Sequence, residues 1–529
     1  MYRQRIDWFP FLLGALFIVM VSVPYILAYQ SAGEAYRFGG FLLNPIDGNS
    51  YLAKMYQGWQ GSLRFKLPYT IEQGEGGYLF LFYLALGHLA RISGASIQLI
   101  YHLLRIASGF VLVIGLWFFF GRVFTGKRTR RLAFGLALFG SGMGWLVSFF
   151  GILSADFWVA EGYPFLSAYT NPHFPLGLAI MLGFLAPAAP GNSQINSVLS
   201  VWQRIVFLIS GFALAVLMPF GVVITGVVLA AALVWEYMES PNNQESITKR
   251  LSSILFYSQT GQKLILLLLG SAPVLIYQVW ISRSDPILAA WNAQNITLSP
   301  SLWKLLIAYM PIVLAAIPGI YFSLKAPEKR TRILLLWAGL GLLLLYIPWN
   351  LQRRFISGYM IPLAGFAAIA LHRLYSRKRI VGMAALGLII VLMVPTNLMI
   401  VLGGMQAVEN KDASLFLTKD EFLGLKWIEK NTDEQAAILA SPEMGLFIPA
   451  YTGRRVWYGH PYETADAAGM ETKLLNFFAG TRSEDNKKIL EKSDFLFLGR
   501  RERELGEVEI GPGFELVFES GEIHIFRIH

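Results

Sequence analysis

The sequence predicts a mainly α protein: a polytopic transmembrane helix bundle of about eleven spans, followed by a small extracytoplasmic α/β domain. Three observations carry this expectation. The 529 residues are 55% hydrophobic, 14% aromatic and only 15% charged, with a mean hydropathy of +0.50. At roughly 20 apolar residues per crossing, such a chain holds about ten spans and still leaves a soluble domain. Charge divides the chain: residues 1–402 carry 29 Lys and Arg against 12 Asp and Glu, net +17, whereas residues 403–529 carry 15 against 22, net −7. The expected organisation is therefore a transmembrane module over 1–402 and a separate domain over 403–529.

The basic residues cluster between apolar runs, as the positive-inside rule requires of cytoplasmic loops, so the pI of about 9.5 does not point to nucleic acid. Membrane lipids are the expected neighbours. The chain has no cysteine, which removes disulfides, thiolate metal sites and a cysteine nucleophile. A metal would have to be held by His, Asp or Glu.

The first apolar run, 8–29, is too long for a signal-peptide core and follows Arg3 and Arg5, so it reads as an uncleaved span. Further spans are expected at 97–121, 132–151, 174–189, 203–218, 220–238, 264–281, 302–324, 333–349, 356–371 and 381–402. The stretch 78–90 is short for a crossing and ends in His88 and Arg91. Leaving it out puts Lys127 to Arg131, Lys249, Arg250, Lys263, Lys325 to Arg332 and Arg373 to Arg379 on the N-terminal, cytoplasmic side. Segments 30–96, 152–173, 282–301, the turn near Asn350 and the acidic tail then face outward. The tail alternates helical patterns (419–430, 443–450, 467–492) with β-type runs (436–440, 454–458, 494–498, 514–518, 522–527), and Ser520-Gly521 suits a hairpin turn.

Chemistry concentrates in the outward segments. In Asn44-Pro45-Ile46-Asp47-Gly48, an acid precedes a short helix on which Tyr51, Met55 and Trp59 recur at i, i+4 and i+8. That apolar stripe predicts a helix lying in the membrane interface, with Lys54 reaching lipid phosphate. Asp47 is either a reacting carboxylate or the helix cap. Asp156, Glu161 and His173 share the next outward loop. With Asp47 they make candidates for a general base, and Asp47, Asp156 and His173 for a divalent-cation site for Mg or Mn, although His173 also suits a plain helix entry. In Gln352-Arg353-Arg354, two arginines sit where basic residues are avoided, a pattern that suits bidentate phosphate recognition or interfacial snorkelling. Arg105, with His102 nearby, lies inside a span and suits an ion pair. In the tail, Gly459-His460-Pro461-Tyr462-Glu463-Thr464 follows a strand, and His460 and Glu463 are candidates to contact an acceptor, with turn chemistry as the alternative.

Taken together, an N-terminal span, a long first outer loop with an early acid at Asp47 before a short helix, acids at Asp156 and Glu161, many spans and an outer C-terminal domain resemble the GT-C superfamily of membrane glycosyltransferases. The phrases Asp47 to Gly61, Pro172-His173-Phe174, Gln352-Arg353-Arg354-Phe355 and Gly459-His460 to Thr464 are similar to those of a group of bacterial membrane proteins of this type. The resemblance implies a GT-C-like bundle and a hexosyl or pentosyl transferase of the cell envelope. It also implies a polyprenyl-phosphate sugar donor, an extracytoplasmic acceptor and a catalytic or metal-binding role for Asp47 (catalytic set Asp47, Asp156, Glu161). Two departures are visible. The early acid stands alone as Asp47-Gly48, and the later loop reads Leu67-Pro68-Tyr69-Thr70 rather than a Lys-Pro-Pro phosphate contact. Donor phosphate contacts then fall to Lys54, Gln352, Arg353 and Arg354, and acceptor contacts to Tyr51, His460 and Glu463. The alternative functions are an envelope assembly or binding protein and a lipid-linked glycan transporter. The transporter would need ionisable groups deep in the spans and inverted repeats, neither of which is visible.

Overall fold

The computed structural model describes residues 7–188, 198–239, 246–481 and 483–529. Arg3, Arg5 and the end of the expected span 174–189 lie outside these residues. Two compact units emerge: a first of Met1–Val23, Leu104–Ile276 and Thr297–Gly403, and a second of Pro24–Leu103, Tyr277–Ile296 and Gly404–His529. The division at Gly403 is where charge changes sign, but 24–103 and 277–296 belong to the same unit as the tail.

Among the described residues seven helices are long and apolar enough to cross a membrane: Phe9–Ser31, Ile97–Val123, Lys127–Ser148, Pro219–Glu239, Gln259–Ser284, Gln352–Arg377 and Arg379–Glu409. The protein is a multi-pass membrane protein. The other four expected spans do not form single long helices. Leu302–Tyr309 and Ile312–Lys325 are bent by 90° at Met310-Pro311, where proline supplies no N–H to continue the ladder. His173–Leu185, Val201–Leu217 and Arg332–Leu344 have 13, 17 and 13 residues. A 13-residue helix rises only about 20 Å, short of a hydrocarbon core of about 30 Å. Hydropathy windows see apolar length, not where a helix ends.

In the first unit the helix Met360–Arg377 is the most enclosed, packed against Ile312–Lys325 and Lys127–Phe139. Gly319 allows the first of these contacts, since a Cβ there would run into the Phe366 carbonyl. The long helix Arg379–Glu409 instead exposes Ile380, Val391 and Leu402, an apolar surface suited to lipid.

In the second unit, β1 (Tyr36–Phe38) pairs antiparallel with β2 (Phe416–Thr418). A five-stranded sheet follows, built from β3 (Ala437–Leu439), β4 (Arg455–Val456), β5 (Phe495–Leu498), β6 (Phe514–Ser520) and β7 (Ile523–Ile528) in the order β4-β3-β5-β7-β6. β3, β4 and β5 run parallel, and β6 and β7 form an antiparallel hairpin whose turn carries Gly521 at φ 55. Side chains alternate across the sheet: Ile438 and Phe497 join the core with helices Lys419–Asn431 and Pro442–Thr452, while Leu439 and Leu496 pack with Ala467–Phe478 and Glu484–Glu491.

The helix Pro45–Trp59 is enclosed within this unit, so most of the face that its stripe offered to lipid is covered by protein. Leu81–Ser93, the helix formed around the short stretch 78–90, covers one side and Pro442–Thr452 another. Gly58 and Gly87 make the first contact possible: a Cβ on either would collide with the backbone of the facing helix, at Leu84 and Met55 respectively. Met55 is consequently buried, whereas Trp59 remains exposed.

Candidate functional site

In the second unit the helix Pro45–Trp59 begins at Asn44, in the left-handed region at φ 51, with Pro45 in the first helical position. Asp47 is therefore not the cap residue. It sits in the first turn, where the helix dipole favours its charge. Asp47, Ser50 and Lys54, spaced i, i+3 and i+7, share one face. Opposite that face lies the turn after β4. Its backbone closes with the Thr464 N–H donating to the His460 carbonyl at 3.0 Å, and a Gly445–Gly459 contact that leaves no room for a Cβ holds it against Pro442–Thr452.

Two pairs bridge helix and turn. The Lys54 ammonium donates to Glu463 Oε1 at 2.6 Å and to Ser50 Oγ, and Ser50 Oγ donates to the same carboxylate oxygen at 2.8 Å. Lys54 is fully buried, with its Nζ 4.5 Å from the ring centroid of Phe80 and 5.5 Å from those of Tyr51 and Phe65. Burial opposes ionisation of Glu463, but Lys54, helped by the Ser50 hydroxyl, outweighs it and holds the carboxyl below its ordinary value. The second pair is His460 Nε2 with Asp47 Oδ1 at 3.5 Å; the imidazole is buried, whereas 54% of the Asp47 side chain is exposed. Tyr69 flanks the imidazole at 5.7 Å between centroids, its phenol raised well above the ordinary value by burial.

Of the expected residues, Asp47, Lys54, His460 and Glu463 thus come together, with Tyr51 at the edge stacked on Tyr83. Lys54 is corrected in role: an ammonium enclosed by three rings and neutralised by Glu463 does not reach a lipid phosphate. Ser50 was missed. The polar spacing 47–50–54 beside the apolar spacing 51–55–59 is the signal that would have found it.

In the first unit the turns Ala155–Phe157 and Ala160–Gly162 carry the loop acids, and the 3-10 turn Gln352–Ile356 carries the arginines. A 3-10 turn has three residues per turn, so adjacent side chains point about 120° apart. Arg354 accordingly reaches Glu161 Oε1 at 3.3 Å, while the Arg353 guanidinium lies 4.6 Å from the ring centroid of Trp158. The two guanidiniums therefore diverge. The Glu161 carbonyl accepts from the Gly358 N–H at 2.8 Å, tying the two turns together. With its amide turned to satisfy both neighbours, Gln352 donates to the Ile347 carbonyl (2.6 Å) and accepts from the Ser299 N–H (3.2 Å).

Asp156 differs from Glu161. Its buried carboxylate accepts from the Gly142 and Gly144 N–H groups, each at 3.0 Å, and burial pushes its carboxyl above the ordinary value. Those backbone bonds, both on Oδ2, anchor the loop. Arg105 donates to the carbonyls of Val21 (2.7 Å) and Ala168 (3.1 Å), tying backbone segments together. His173 opens the helix His173–Leu185, its ring 4.1 Å from Phe174. Among the described residues no group of three or more His, Asp and Glu side chains is arranged to hold a metal ion. The expected set of Asp47, Asp156 and His173 is not among such groups.

No protein-family model matches the chain, and no curated protein matches it. Solved structures do. The chain is similar to the oligosaccharyltransferase of Archaeoglobus fulgidus tethered with an acceptor peptide containing the NVT sequon, with a TM-score of 0.56 and 15% identity over 93% of this chain and 69% of that one. The archaeal enzyme AglB from the same organism, in complex with an inhibitory peptide and a dolichol-phosphate, gives 0.54 and 14% over 93% and 70%. ArnT from Cupriavidus metallidurans bound to undecaprenyl phosphate gives 0.50 and 14% over 97% of both chains. The chain shares its fold with these oligosaccharyltransferase and ArnT structures.

Proposed function

We propose that this protein is a membrane glycosyltransferase that moves a sugar from a polyprenyl-phosphate donor to an extracytoplasmic glycan, lipid or protein acceptor, with its N-terminus cytoplasmic and its tail outside. The observation that carries the reading is Asp47: an exposed carboxylate on the first outer helix, beside a buried imidazole, in a chain whose fold is shared by structures bound to dolichol-phosphate and undecaprenyl phosphate. In the proposed step an acceptor hydroxyl gives its proton to Asp47 and its oxygen bonds to the anomeric carbon. The bond from that carbon to the lipid phosphate breaks, and its electron pair leaves with the phosphate. Within the first unit, taken by itself, Arg354 and Arg353 are proposed to bind lipid phosphate, whose oxygens guanidinium donors match. No step runs through a divalent cation.

The experiment is transfer of radiolabelled sugar from a panel of polyprenyl-phosphate sugars by the protein in nanodiscs. Asp47→Ala and the double change Arg353→Ala/Arg354→Ala should each cost on the order of a hundredfold or more in turnover. Unchanged transfer by either folded variant would contradict the role of the residues it removes.

A further inference from the structure

We infer that His460 is a positioning residue for Asp47, held in a single tautomer by its own turn, and is not an acceptor ligand. This rests on the reading of Asp47 as the proton acceptor. Nδ1 of His460 accepts from two backbone donors, the N–H of Tyr462 at 3.0 Å and the N–H of Glu463 at 3.2 Å. A nitrogen receiving two N–H groups supplies the lone pair, so the ring proton sits on the other nitrogen, Nε2. Nε2 is the atom that faces Asp47 Oδ1 at 3.5 Å. The imidazole thus turns its N–H edge toward the Asp47 carboxylate at a separation just beyond hydrogen-bond geometry, a contact of the kind that tightens when substrate binds.

The arrangement repeats one level further out. The residue whose N–H fixes Nδ1, Glu463, is itself pinned through its side chain to Lys54 and Ser50, on the helix that carries Asp47. Lys54 lies seven residues after Asp47, two turns along the same helix. The helix that holds the base and the turn that holds the imidazole are locked by one ion pair, so imidazole and carboxylate are registered by the fold, with Tyr69 closing the far face of the ring.

The two nitrogens can be tested separately. Asn at 460 keeps an oxygen near the Nδ1 position and so preserves the turn, but it has no donor at the Nε2 position; Gln places an amide nitrogen near Nε2. In the transfer assay His460→Asn should fold with wild-type thermal stability yet lose about a hundredfold in kcat/KM, the scale of a misplaced reacting group. His460→Gln should recover most of that loss. Full activity of H460N alongside an active wild type would overturn the inference. The tautomer is read independently of any substrate from ¹⁵N-histidine spectra of the full chain in nanodiscs, with H460N identifying the signal. The inference requires a protonated Nε2 whose resonance moves in Asp47→Asn, and a protonated Nδ1 would overturn it. A wild type inactive with every polyprenyl-phosphate sugar would instead defeat the functional reading, and the spectra would still decide the tautomer.

Discussion

Two ion pairs of unlike character sit in the two units. Lys54 and Glu463 meet at 2.6 Å with 0% and 11% of their side chains exposed; Arg354 and Glu161 meet at 3.3 Å with 35% and 5% exposed. The first pair is sealed by aromatic rings and a helix face, so no ligand competes for it, and its effect is to hold the turn of His460 against the helix of Asp47. The second is open on the arginine side, and its guanidinium has donors beyond the ones Glu161 takes. The two opposite-charge pairs therefore differ in setting: the closed one is shut off from solvent, and the open one is the pair proposed above to meet lipid phosphate.

The sharpest way to break this contrast is to remove one member of the closed pair. Lys54→Met leaves Glu463 buried without a counter-charge and should cost about 3–5 kcal/mol in thermal or denaturant unfolding, whereas Lys54→Met with Glu463→Leu should regain most of it. If K54M unfolds like wild type, the closed pair is not structural. For the open pair, Arg354→Lys keeps a positive charge beside Glu161 but loses the planar fork. It should leave unfolding nearly unchanged and lower transfer by about tenfold to a hundredfold. A stability loss matching that of K54M would erase the distinction.

Acid sharpens the contrast further. The carboxyl of Glu463 is held below its ordinary 4.5, so the stability it contributes is present above that value and is lost as pH falls through the lowered folded value. The contribution of this group to thermal unfolding should therefore be level near neutrality and decline below pH 4.5, and Glu463→Gln should remove that part of the decline. The smallest effect is expected at Asp156. Asp156→Asn keeps an oxygen for the Gly142 and Gly144 N–H groups and should shift stability by no more than about 1 kcal/mol with transfer retained, whereas loss of transfer in a stable D156N protein would return Asp156 to the chemistry.

How much of this is legible in the sequence follows from what a sequence encodes locally. The tail elements are legible because strand alternation and helix periodicity are local patterns: the expected 419–430 and 494–498 correspond to Lys419–Asn431 and Phe495–Leu498. Helix ends in the membrane are less so, since hydropathy runs smoothly through Met310-Pro311, where the chain bends by 90°. At the site, Asp47, Lys54, His460 and Glu463 stand out singly as polar residues in the outer segments. Their pairing does not, because Lys54 and Glu463 are 409 residues apart. The role of Lys54 is hidden for the same reason: a lysine beside an apolar stripe looks like a lipid contact until the covering helices are known. The divergence of Arg353 and Arg354 depends on a 3-10 turn that adjacency alone does not reveal.

The most direct test of the central claim is a cryo-EM map of the protein in nanodiscs with an added polyprenyl phosphate. Phosphate density in contact with the Arg354 and Arg353 guanidiniums, with the Lys54–Glu463 pair unchanged, is the expected result. Density for lipid tails alone against those arginines, or a phosphate bound only elsewhere, would contradict the donor site and with it the glycosyltransferase reading.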